Sequence, residues 1–196
     1  TVNGEFNYLY VGDGGQANVT FAASSEGCTF KAGELQSLDI AGNRHSMDVT
    51  NVNNGGSVTA NDSLIRVNRF AGNTTFTPID GSLFVNDISV AVTSPVTGLN
   101  TQLKLGNSSF VLQVQLCTEV MVDVTTVQFF INQSSQSHIH LSRFVNPASQ
   151  VVLVNTNDCI VYASGFNVTL EPSTSNCTVI GKNTVIDNGV NNLVLN

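Results

Sequence analysis

Charge is the scarcest ingredient of this chain. Only 11% of its 196 residues are Asp, Glu, Lys or Arg, less than half of the roughly 25% found in an average soluble domain. Seven basic residues stand against fourteen acidic ones, for a net charge of −7. Seven scattered cations cannot build a phosphate-neutralising stripe, which excludes nucleic acid as a partner. Tryptophan is absent, so a lectin built on that ring stacking against sugar faces is disfavoured. No apolar run approaches the roughly 18 residues of a membrane span. The four cysteines form no C-x-x-C pair, which argues against a zinc site built on close thiolates. There is no G-x-S-x-G elbow, no phosphate-cradling glycine motif and no EF-hand loop.

Amides and hydroxyls take the place of charge. The chain has 24 Asn, 19 Ser and 19 Thr, beside 27 Val, 15 Leu, 11 Phe and 9 Ile that can fill a core. Such a chain folds rather than staying disordered. It begins at Thr1, and Thr1–Tyr10 has neither a basic nor an apolar targeting region. The reading is a mature exported chain whose signal peptide has been removed, with a trimmed chain as the alternative. Widely spaced Cys28, Cys117, Cys159 and Cys177 then read as two disulfides, in keeping with an oxidising compartment. Of the three connectivities, Cys159–Cys177 with Cys28–Cys117 is preferred, with four buried free thiols as the alternative. Asn-x-Ser/Thr acceptors occur at Asn18, Asn61, Asn73, Asn107, Asn132, Asn167 and Asn176. Composition alone gives roughly four or five such sites. N-linked glycans are expected on several of them.

Secondary structure reads as strand after strand. Leu112, Val114 and Leu116 alternate with Gln113 and Gln115, and Val120, Val122 and Val124 continue the pattern. Similar runs cover Leu64–Phe70, Leu83–Val92, His138–Val145, Val151–Asn155, Ile160–Leu170 and Val179–Ile186. Turns fall between them at Gly12-Asp13-Gly14-Gly15, Asn53-Asn54-Gly55-Gly56, Asp80-Gly81, Asn146-Pro147 and Asn188-Gly189. The one helical candidate is Gly33–Ile40, where Leu35 and Leu38 lie three apart. No internal repeat of 20–50 residues is visible, which argues against a solenoid. The expected fold is all-β: a single antiparallel β-sandwich, Ig-like, pilin-like or jelly roll, with an extended N-terminal strand.

Val2, Gly4, Phe6, Tyr8 and Tyr10 occupy every second position, so an extended Thr1–Val11 presents them on one face. The Gly-rich stretch after it reads as a hinge. Residues 1–15 form a candidate extension, and residues 16–196 form the sandwich. This pattern resembles pilins joined by donor-strand complementation. The charge-poor, Asn/Ser/Thr-rich composition is most similar to the archaeal thread filaments of acidophiles. The resemblance implies a glycosylated extracellular filament, a homopolymer built head to tail by strand insertion into the next copy, with a role in adhesion or biofilm. An ordinary first strand paired within its own domain is the alternative reading of the same residues. The alternative function is a receptor-binding domain of a viral or cellular surface glycoprotein.

Chemistry is weakly signalled. His138 and His140 share one strand face, and His45 can supply a third ligand, but no acidic residue completes a metal site. Glu5, Glu26, Glu34, Glu119 and Glu171 form no cluster suited to glycoside hydrolysis. Lys31, Lys104 and Lys182 read as solvated surface residues. No enzyme activity, cofactor or metal is expected.

Overall fold

The computed structural model describes residues 1–5, 8–12, 17–88, 95–108, 110–124, 128–143 and 149–196. The chain winds into a β-solenoid of stacked coils. Eleven strands form one long sheet: Tyr8–Val11, Thr29–Leu35, Ser46–Val52, Leu64–Phe70, Ser82–Ile88, Gln102–Ser108, Glu119–Val124, His138–Arg143, Ile160–Ala163, Thr178–Ile180 and Leu193–Leu195. Every one of these strands is parallel to its neighbours. The other wall begins as a four-strand sheet, Asn18–Phe21, Ser37–Ile40, Gly56–Val58 and Thr74–Phe76. It continues as a six-strand sheet, Val96–Leu99, Val111–Gln115, Gln128–Asn132, Gln150–Val154, Asn167–Leu170 and Val185–Asp187.

The antiparallel sandwich is therefore corrected. Parallel neighbours need a crossover of about a dozen residues or more, and here the strand on the opposite wall supplies it. Partners in the long sheet lie 17 residues apart at Thr29↔Ser46, 18 at Ser46↔Leu64, 22 at His138↔Ile160 and 15 at Thr178↔Leu193. This uneven period is what concealed the repeat. No helix occurs among the described residues, and none is long and apolar enough to cross a membrane. The helical candidate Gly33–Ile40 is instead the end of one strand and the whole of the next. Leu35 and Leu38 both face the core because the chain turns between them at Gln36.

The core lies between the walls. Phe21 packs against Phe30 at 5.2 Å and Phe70 against Phe76 at 5.5 Å, both edge-on. Each such fully buried side chain contributes roughly 1.5–3 kcal/mol. A sharp corner closes each coil. At Gly27, Arg44, Asp62, Asp80, Asn100, Leu116, Gln136, Asp158, Asn176 and Asn191 the backbone takes φ between 46° and 65°. Asn and Asp tolerate this left-handed conformation better than other non-glycine residues, and six of these ten corners are Asn or Asp. Part of the asparagine excess is thus structural.

The N-terminal segment pairs within its own chain. Val2 bridges Phe21, Gly4 O accepts from Glu26 N at 3.0 Å, and Tyr8–Val11 adds to Thr29–Leu35. The alternating residues do not share one face, since Val2 packs on the core. Tyr8 and Tyr10 are 69% and 67% exposed, while Leu9 and Val11 pack on the core. Both faces of this strand are apolar, so alternation alone could not choose between them. The fold is a solenoid and not a pilin-like sandwich, so that expectation is corrected along with the antiparallel one. Phe6 and residues 13–16 of the candidate hinge lie outside the described residues.

Candidate functional site

The interior of the corner explains the cysteines. In eight of the ten coils the residue after the left-handed one turns a buried side chain inward. Cys28, Cys117, Cys159 and Cys177 occupy this place, as do His45, Ser63, Thr101 and Ser137 in other coils. All four cysteines are free and buried, so the disulfide reading is corrected. Cys28 and Cys117 lie five coils apart, roughly 24 Å at the usual strand spacing, far beyond bridging reach. Cys159 and Cys177 are neighbours, and their thiols are in contact. That contact first, and burial second, push the Cys159 thiol up, while the same contact pulls Cys177 down. Burial likewise raises Cys117.

His45 is 2% exposed. Its Nδ1 accepts the Cys28 N–H at 3.2 Å, so Nε2 carries the proton and faces Ala41 O at 2.9 Å and Ser25 Oγ at 3.1 Å. Every ring nitrogen is satisfied, and burial holds the imidazole below its ordinary pKa. The sequence offered His45 as a companion to His138 and His140. The structure sets it inside, five coils away from their strand. His140 lies against Tyr162 instead, ring on ring at 4.4 Å and 8°. Among the described residues no three His, Cys, Asp or Glu side chains come together as metal ligands.

The outer face of the long sheet carries the most varied chemistry. Register stacks one outward residue per coil into a continuous column. Its first half runs Tyr10, Lys31, Asp48, Arg66, Phe84, Lys104. Its second half turns apolar and aromatic: Met121, His140, Tyr162, Ile180, Leu195. Met121 and Tyr162 are 40% and 37% exposed. Beside the charged half, Asn68 and Asn86 stack, with Asn86 Nδ2 donating to Asn68 Oδ1 at 3.4 Å. A groove of ≈ 330 Å³ opens here, lined by Asp48, Thr50, Arg66, Asn68, Phe84, Asn86 and Lys104 among others. The Arg66 guanidinium lies 5.9 Å from the centre of the Phe84 ring. Five of the seven Lys and Arg residues belong to long-sheet strands, together with Glu34, Asp48, Asp87, Glu119 and Asp123, so this wall carries both signs of charge. Sequence reasoning missed this surface, because only the stacking of coils brings residues 18 apart into contact. The available signal was the recurrence, after each corner, of a small residue and then alternating apolar positions.

The glycan acceptors Asn18, Asn61, Asn73 and Asn176 are exposed, and Asn132 and Asn167 are half-buried. The Asn107 side chain lies outside the described residues. The five glutamates stay dispersed, apart from Glu5 bridging Glu26 through the backbone and Glu26 pairing with Arg44. Lys31, Lys104 and Lys182 are exposed. No protein-family model, curated protein or solved structure matches the chain.

Proposed function

We propose that this chain is a glycosylated β-solenoid rod displayed outside the cell, part of a surface coat or adhesive appendage that binds through the outer face of its long sheet. One observation carries the reading: the column of outward residues runs unbroken from Tyr10 to Leu195, charged in one half and apolar-aromatic in the other. A rigid parallel sheet holds such a column at fixed spacing, which suits recognition of an extended partner. The exposed acceptor asparagines and the amide-rich, charge-poor surface support the extracellular setting. The test is mass spectrometry of the native chain with surface labelling of intact cells. Glycan mass on Asn18, Asn61, Asn73 or Asn176 and labelling from outside are expected. An unmodified, label-protected chain overturns the reading.

A second reading, a homopolymer of copies stacked end to end, is favoured by the long-sheet edge strand Leu193–Leu195. There Leu193 is 53% and Leu195 45% exposed, with Val190 nearby at 55%. Apolar side chains exposed on an outermost strand favour addition of a strand from a second copy by β-augmentation. Sedimentation across a concentration series tests it: growing rods are expected, and a single concentration-independent species rules it out.

A further inference from the structure

We propose that the groove over Asp48, Arg66, Phe84 and Lys104 binds an acidic carbohydrate, a sugar ring carrying a carboxylate. The inference rests on the reading of the long sheet as a binding face and names the ligand class of that face. Four observations converge on it. First, the groove of ≈ 330 Å³ is concave on a rigid sheet, the setting in which small ligands are held by a few placed polar groups. Second, the groove carries two cations and one acid. The ion pairs among the described residues are Arg44–Glu26 and Arg69–Asp87, so neither Arg66 nor Lys104 is drawn into one, and Asp48 beside Arg66 leaves the groove with a net positive charge.

Third, Phe84 lies in register between them, one coil from each. Strand spacing therefore puts the two cations roughly 9–10 Å apart across the ring. A sugar resting its C–H face on Phe84 can hold its carboxylate against Arg66, whose planar fork suits bidentate pairing. The carboxylate of a neighbouring ring then falls toward Lys104. Fourth, Asn68 and Asn86 offer amide donors and acceptors along one side, and Asp48, in register beside Arg66, can accept from hydroxyls at one end. An acidic protein repels anions at long range, so a cationic patch on it selects ligands that also match in shape.

The test is calorimetry and amide-shift mapping on the full chain at low salt. The probes are trigalacturonate, 3′-sialyllactose, maltotriose and sodium acetate. At least one of the two acidic sugars is expected to bind, weakening as salt rises, with shifts at residues 48, 66, 84 and 104. Trigalacturonate binding alone identifies a uronate chain as the source, and sialyllactose binding alone identifies a terminal acidic sugar. R66Q and K104Q are each expected to weaken that binding at least five-fold, with unchanged thermal melts because both side chains are exposed. F84A is expected to abolish sugar binding while leaving weak acetate binding. Equal binding of maltotriose, or acetate as tight as the acidic sugars, overturns the proposal, as does an acidic sugar whose affinity ignores R66Q and K104Q. If shifts then map to Met121, His140 and Tyr162, the long-sheet reading survives and only the groove assignment fails. If no probe binds, the proposal fails whatever the glycan mass spectrum shows.

Discussion

Cys28, Cys117, Cys159 and Cys177 each donate to the carbonyl two residues earlier, as Ser63, Thr101 and Ser137 do in other coils. Thiol and hydroxyl are therefore alternative fillings of one inward corner position. Cys→Ser at any of the four is expected to cost about 1 kcal/mol or less, and reductant is expected to leave the urea midpoint unchanged. Loss of a native disulfide costs about 2–5 kcal/mol, so a drop of that size, or a shift with reductant, would contradict the corner role. The same column makes His45 an acid-sensitive point of the fold. Its imidazole is neutral in the fold, and burial lowers its pKa below the 6.5 of the unfolded chain. Below pH 6.5 the unfolded chain binds the extra proton first, so stability falls as pH falls through that value. The denaturation midpoint of the native chain, measured against that of His45→Gln, is expected to decline between pH 7.5 and pH 5. A pH-independent difference would show that the ring titrates alike in both states. None of this was legible from spacing, since a buried corner histidine and an exposed strand histidine look alike in one dimension.

Strands were the most legible elements, and their partners the least. Leu64–Phe70 was expected and is found with those bounds. The run Ile160–Leu170 divides into Ile160–Ala163 and Asn167–Leu170, which belong to opposite walls. Period-2 alternation is the same in parallel and antiparallel sheets, and Asp80-Gly81 serves a solenoid corner as readily as a hairpin. Only a repeat separates the two folds, and spacings from 15 to 22 residues blur it. Close stacking nevertheless leaves one sharp demand on sequence. A Cβ on Gly106 would lie 2.0 Å from the Asn86 carbonyl oxygen, whereas one on Gly181 would meet Ala163 O at 3.5 Å. Gly106→Ala must push Gln102–Ser108 away from Ser82–Ile88. It is expected to destabilise by roughly 2–3 kcal/mol or more, while Gly181→Ala stays within about 0.5 kcal/mol. Matched chemical denaturation of the two variants checks the contrast, and equal midpoints would mean that the strands are less tightly spaced at Gly106.

As a whole the molecule is close to one-dimensional: each coil touches chiefly the coil before and the coil after, so stability is approximately a sum of coil and interface contributions. Removing one whole coil should therefore shorten the rod without unfolding it. Residues 160–177 are one such unit, because Ile160 and Thr178 are register partners and Thr178 N already donates to Cys159 O at 2.9 Å. Joining Cys159 to Thr178 keeps the corner, returns every later inward side chain to the core, and stacks Val185–Asp187 over Gln150–Val154. The deletion is expected to give a folded chain with an unchanged sheet signal, a smaller denaturant slope in proportion to the surface lost, and a scattering length shorter by about 4.8 Å. Deleting only residues 160–168 removes half a turn and sends the following strand to the wrong wall, so that chain is expected not to fold. The half-coil chain controls for mere tolerance of shortening. If both chains fold equally well, or if the whole-coil chain fails, the coils are not interchangeable units.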